Sequence, residues 1–117
     1  MLNWIQHEGD PADWDARIRA LNGGFYQSHG WGEVRRVAGW GPLRLLAVRE
    51  AREPVAAASV LVRRHMGIPV CWIPGGPVGP MVHFDGAFRS ALSRFVGSRL
   101  FYCRLNLLRR DESGEAS

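Results

Sequence analysis

The stretch Val55–Phe84, VAAASVLVRRHMGIPVCWIPGGPVGPMVHF, decides the fold. Val55–Arg64 carries the β-branched residues Val55, Val60 and Val62 and reads as a strand, although Ala56-Ala57-Ala58 alone would suit a helix. A second apolar run, Val70–Ile73, follows almost at once, and Gly67 supplies the reversal between them. Two apolar-faced runs joined so closely predict an antiparallel pair. Gly75-Gly76-Pro77-Val78-Gly79-Pro80 then reads as a rigid loop.

Upstream, Leu43–Arg49 (LRLLAVR) is a strand with apolar residues on both sides, and Asn3–His7 is a plausible edge strand. Asp10 followed by Pro11 marks a helix start, with Asp10 as capping acceptor and Asp13 adding negative charge in the first turn. Trp14, Ile18 and Leu21 share one face of that helix, which Gly23-Gly24 ends. Ser28 caps a second helix, closed by Gly39, whose buried face is expected to hold Trp31, Val34 and Ala38. Arg35 falls beside that face and Arg36 well away from it.

Downstream, Asp85 caps a helix with Phe88, Leu92, Phe95 and Val96 on one face. Leu100–Leu108 is the last strand. Phe101, Cys103, Leu105 and Leu107 point one way along it, and Tyr102, Arg104 and Asn106 the other. The order is β-α-α-β-β-β-α-β, an α/β (α+β) fold with a mixed, mainly antiparallel sheet flanked by helices. One domain spans 1–108, and 109–117 is expected to be a disordered polar tail.

A chain of 117 residues with 46% hydrophobic content supports one cored domain and not two. Five tryptophans and five phenylalanines place much of its stability in aromatic burial. The net charge is +4 and all 15 basic residues are arginine. They are spread along the chain, so a solvated basic surface and a phosphorylated or nucleic-acid partner are both open readings. Cys71 and Cys103 fall inside strands without metal-ligand spacing and read as reduced, buried apolar residues. The longest apolar run, Val55–Val62, is interrupted by Ser59 and is far short of the ~20 residues of a membrane span. With no secretion signal at the N-terminus, the expected location is cytoplasmic.

The Gly-Pro loop is not a nucleotide P-loop. Pro77 and Pro80 lack an N–H, and the next helix starts only after Asp85. It is either a rigid turn or a turn that lines a substrate. His65, His83 and Glu33 are candidates for a general base, set against the plainer reading as surface residues. No Ser/His/Asp or Cys/His arrangement stands out.

The run Phe25-Tyr26-Gln27-Ser28-His29-Gly30-Trp31-Gly32-Glu33-Val34-Arg35-Arg36, followed by Gly39-Trp40, resembles the N-terminal signature of FemAB-like proteins. These are bacterial peptidoglycan bridge-forming aminoacyltransferases and their acyltransferase relatives, of the GNAT (N-acetyltransferase) superfamily. The small residues of Val55–Val62 and the run Trp72-Ile73-Pro74-Gly75-Gly76-Pro77-Val78 extend the resemblance, which covers Trp4–Leu108 and only the N-terminal part of such proteins. It implies a partial GNAT-like fold and an acyl- or aminoacyltransferase-like domain acting on an amine acceptor such as a cell-wall precursor. Acyl-CoA or aminoacyl-tRNA would be the donor, with tRNA the only nucleic acid involved. By the same resemblance Arg35 and Arg36 contact acceptor phosphate, Trp31, Gly76, Pro77, Val78 and Gly79 line the cleft, and Arg104 adds a cation from the last strand.

Two departures count against a complete enzyme. Arg109-Arg110 stands where the family has a proline. Arg64-His65-Met66-Gly67-Ile68-Pro69 imitates a CoA-binding turn but runs into a strand. The catalytic residue is unassigned and no metal is expected. The alternative is a non-catalytic truncated or split half-domain that pairs with another chain, as a homo-oligomer or with a complementing second half, or binds a phosphorylated ligand.

Overall fold

The computed structural model describes residues 2–49, 53–99 and 101–106. Its sheet has the order β1-β2-β3-β4-β5, from β1 (Leu2–Gln6), β2 (Gly41–Arg49), β3 (Ala56–His65), β4 (Ile68–Pro74) and β5 (Tyr102–Asn106). Helices α1 (Pro11–Ala20) and α2 (His29–Arg36) connect β1 to β2, and α3 (Gly86–Val96) connects β4 to β5. The first four strands pair antiparallel; β5 runs parallel to β4, the geometry a crossover helix permits. This is the expected element order, and a mixed sheet flanked by three helices is consistent with a partial GNAT-like fold.

The alanines of β3 explain why propensity misleads there. β3 is central and covered on both faces, so it shows no apolar–polar alternation. Ala56 and Ala58 join Leu45, Val60 and Ile73 against Phe88, Ala91 and Leu92 of α3. Ala57 faces the other way and lies beneath Trp14 and Ile18 of α1, with Leu46 and Val78. A small residue in the strand is what leaves room for Trp14, which is wholly buried. On the α3 side the Trp4 ring stands 4.8 Å from that of Phe88 and 5.5 Å from that of Phe84.

The capping signals mostly hold. Ser28 Oγ accepts from the Trp31 amide at 3.2 Å and Asp85 Oδ1 from the Ala87 amide at 3.0 Å. Asp10 occupies the N-cap position of α1, but its side chain makes no capping bond; its backbone carbonyl accepts from Asp13 and Trp14 instead. A second carboxylate, Asp15 Oδ1, accepts from the His29 amide at 2.8 Å and ties α1 to the start of α2.

The expected buried face of α2 is a correction. Val34 is 55% exposed, Ala38 is exposed and Trp31 only half-buried. Instead Gly32 is buried, because α2 approaches the sheet so closely that a Cβ there would stand 2.9 Å from Arg44 Nη2. Arg44 is buried in β2 and donates to Glu33 Oε2 at 2.9 Å and to the His29 carbonyl at 3.1 Å. This charge-assisted pair, not the apolar repeat, sets the rotation of the helix.

In β5, Tyr102 and Arg104 are exposed on the α1/α2 face and Cys103 is half-buried on the α3 face. The remainder of the expected last strand, the side chains of Leu105 and Asn106, and the tail at 109–117 lie outside the described residues. Both thiols are free. Burial, with Cys103 beside it, pushes the Cys71 thiol up to about 12. No helix of the described residues is long and apolar enough to cross a membrane.

Candidate functional site

Between α1 and α2 the chain makes a 3₁₀ turn, Phe25–Gln27. The Gln27 side chain is fully buried and enters the sheet where β3 and β4 part. Pairing between these strands runs from His65↔Ile68 to Leu61↔Trp72. Beyond that point the Gln27 amide takes the place of a strand. Its Oε1 accepts from the Ser59 amide at 2.7 Å, and its Nε2 donates to the Ser59 carbonyl at 3.1 Å and the Pro74 carbonyl at 2.8 Å. The Gly75–Pro77 segment passes around this amide, and Val78 returns to pair with Ala57. Trp14 Nε1 donates to the Gln27 carbonyl at 2.8 Å, so α1 fixes the same turn from the other side.

The wedge opens a crevice. A cavity of about 340 Å³ is lined by Asn22, Gly23 and Tyr26 on one wall and by Pro77, Val78 and Gly79 on the other. The Tyr26 ring meets the Trp31 ring edge-on at 5.1 Å, and the Arg35 guanidinium lies 5.0 Å over the Trp31 ring. The 3₁₀ turn before α2, through Tyr26, and the Gly-Pro loop therefore border one crevice. Trp31 Nε1, Arg35 Nε and Trp72 Nε1 are buried N–H donors without a hydrogen-bond partner among the described residues, as are Trp4 Nε1 and Arg44 Nε elsewhere.

The candidate residues divide. Pro77, Val78 and Gly79 line this crevice, whereas Trp31 and Arg35 stand behind its Tyr26 wall, Trp31 against the Tyr26 ring and Arg35 over Trp31. Gly76 does not line it but faces the Gln27 amide. Arg36 points outward and pairs with Glu33 at 2.7 Å. Arg104 sits opposite Trp72 in the β4–β5 register, on the same sheet face as α2. Tyr26 and Gln27 stand out in the sequence only as part of a motif, since neither an aromatic nor an amide in a connecting turn has a periodic signature. A second, mainly apolar cavity of about 310 Å³ lies on the α3 side, lined by Phe84, Phe88, Arg89 and Phe101. Pro77 and Met81 border both cavities.

None of the three base candidates lines the crevice. His65 is at the β3–β4 reversal and His83 in a 3₁₀ turn after the loop. Hydrogen bonds from Arg36 and Arg44 hold the Glu33 carboxyl below its ordinary value, making it a poor proton acceptor near neutrality. His29 is also lowered, first by burial and then by Arg44. Both groups bind fewer protons folded than unfolded, so stability rises with pH. The His29 contribution is complete above 6.5 and is lost as pH falls through its lowered folded value; that of Glu33 follows below 4.5. Urea midpoints should therefore fall between about pH 7.5 and pH 5, and His29→Asn should flatten that decline. An equal decline in the variant would remove His29 from the account.

A mixed five-stranded sheet flanked by three helices, with a loop-and-wedge split between β3 and β4, defines the α/β class of the fold. Among solved structures with a similar fold is the crystal structure of FemX, which matches with a TM-score of 0.67 at 18% identity over 86% of this chain. That match takes in 26% of the FemX chain, so the present chain spans about a quarter of it. The sequence matches no family model and no curated protein. The fold that the FemAB-like resemblance implies is thus shared with FemX.

Proposed function

We propose that this chain is the acceptor-binding part of a FemAB-type acyl- or aminoacyltransferase, holding an anionic, amine-bearing cell-wall precursor in the cytoplasm. The observation that carries this reading is the pair of donors without a hydrogen-bond partner among the described residues, Trp31 Nε1 and Arg35 Nε, stacked behind Tyr26, which walls the crevice opposite Pro77. Buried donors gain most from an acceptor-rich ligand, and a guanidinium is suited to phosphate or carboxylate. Arg36 and Arg104 add charge at the periphery. Aminoacyl transfer needs the acceptor amine deprotonated and brought to an activated carbonyl, from acyl-CoA or aminoacyl-tRNA. The crevice residues named here bind and orient but offer no base, so this part of the fold contributes acceptor recognition rather than proton transfer.

A thermal-shift series separates the parts of this reading. A UDP-linked muramyl peptide should raise the melting temperature, and acetyl-CoA should not. Arg35→Ala should weaken the UDP-ligand effect at least tenfold in concentration, the scale of a lost charge-assisted contact. No shift with any UDP-sugar, or an unchanged shift in R35A, would refute it.

The free edge of β5 favours a second reading, a non-catalytic half-domain that pairs with another chain. Among the described residues β5 pairs only with β4, and its Tyr102 is 71% exposed. A dimer by size exclusion that binds no UDP-sugar would select it.

A further inference from the structure

One end of the molecule has a composition the crevice does not explain. The β3–β4 reversal, the turn after α2 and the end of α3 converge there. Gly41 pairs with Val62, which places the residues 37–40 turn beside the base of the hairpin. The Arg63 guanidinium stacks 5.0 Å over Trp40, and Arg64 Nη2 donates to the Val96 carbonyl at 2.8 Å. No Asp or Glu occurs in residues 34–40, 62–70 or 94–99. The nearby Glu33 is already paired with Arg36 and Arg44. Arg36, Arg63, Arg64 and Arg99 are exposed.

The outermost side chains at this end are aliphatic. Met66 is 89% exposed, Val37 93% and Ile68 46%. Met66 is also an unexpected residue for its backbone. It occupies the reversal with φ +53, followed by Gly67 at φ +83. Hairpin turns with two successive positive φ values favour Asn-Gly, because the short polar side chain of asparagine tolerates the left-handed region and a long apolar one does not. A solvent-exposed methionine at that position is therefore costly twice over, in backbone and in hydration.

We propose that this end of the molecule docks on an anionic lipid surface, with Met66 and Val37 entering the headgroup–acyl boundary and the arginines over the lipid phosphates. Aliphatic tips ringed by cations fit that boundary. A nucleic acid would call for free planar faces, and here Trp40 and Trp72 pack on each other at 5.6 Å with Arg63 over Trp40. A second copy of this end would bring like charges together.

The test is co-sedimentation of the full chain with vesicles of phosphatidylcholine alone and with about one-third phosphatidylglycerol. Binding should require phosphatidylglycerol, fall with salt, and resist competition by inorganic phosphate. Met66→Asn should melt no lower than the parent, since asparagine suits the turn, yet bind vesicles about tenfold more weakly. Arg63→Gln and Arg99→Gln should each weaken binding roughly fivefold. Equal binding to phosphatidylcholine, unchanged binding in M66N, or displacement by single-stranded RNA or by inorganic phosphate would overturn the proposal.

Discussion

Replacing Gln27 with alanine should lower the unfolding free energy by about 3–9 kcal/mol. The estimate is the cost of three buried backbone groups left without a partner, at about 1–3 kcal/mol each. Those groups are the Ser59 amide, the Ser59 carbonyl and the Pro74 carbonyl. They cannot simply close on one another, because β3 and β4 have already parted around the amide. The backbone of Gln27 is held separately by Trp14, so the loss reports on the side chain alone. Gln27→Glu should be no better, since an ionised carboxylate accepts from Ser59 but repels two carbonyl oxygens. Against a typical domain stability of about 5–15 kcal/mol this is a large fraction, readable as a fall in urea midpoint at unchanged slope. A loss below about 1 kcal/mol would mean that water replaces the amide and that the wedge is dispensable.

Much of the fold could be read along the chain because the deciding signals are local. Val60 and Val62 with the nearby Val70–Ile73 run define the hairpin, Ser28 and Asp85 begin their helices, and the α3 apolar face is periodic. The rotation of α2 was not legible, because an arginine eleven residues downstream of Glu33 decides it. Local periodicity treats Trp31, Val34 and Ala38 as a face, but leaving the buried Arg44 without the Glu33 carboxylate would cost more than two modest apolar contacts return. The crevice was half legible. Trp31, Arg35 and the Gly-Pro loop could be named from their motifs. The meeting of Tyr26 with that loop depends on Gln27 reaching Ser59 and Pro74, 32 and 47 residues away. Hydropathy contains no trace of such a contact, since a polar side chain in a turn is what a surface also shows.

The same wedge predicts that Gly76→Ala costs about 3 kcal/mol, the upper end of ordinary overpacking. A Cβ at Gly76 would stand 2.5 Å from Gln27 Cδ, 2.7 Å from Oε1 and 2.9 Å from Nε2. A flexible side-chain end would swing aside, but this one is held by three hydrogen bonds. Either the amide leaves Ser59 and Pro74, or the loop retreats and carries Pro77 and Val78 away from Tyr26. The second route would also distort the crevice, so UDP-ligand stabilisation should fall with protein stability. Gly30 provides the contrast: a Cβ there meets nothing within 4 Å, and Gly30→Ala inside α2 should stabilise by about 0.5–1 kcal/mol. The decisive measurement is the double variant. With Gln27 already truncated the added methyl has no amide to strike, so Gly76→Ala in the Q27A background should cost under about 1 kcal/mol. That makes the coupling between the two positions about 2–3 kcal/mol. Additive losses would show that the glycine answers to the loop backbone rather than to Gln27, and the wedge would then no longer explain why a glycine stands at this turn.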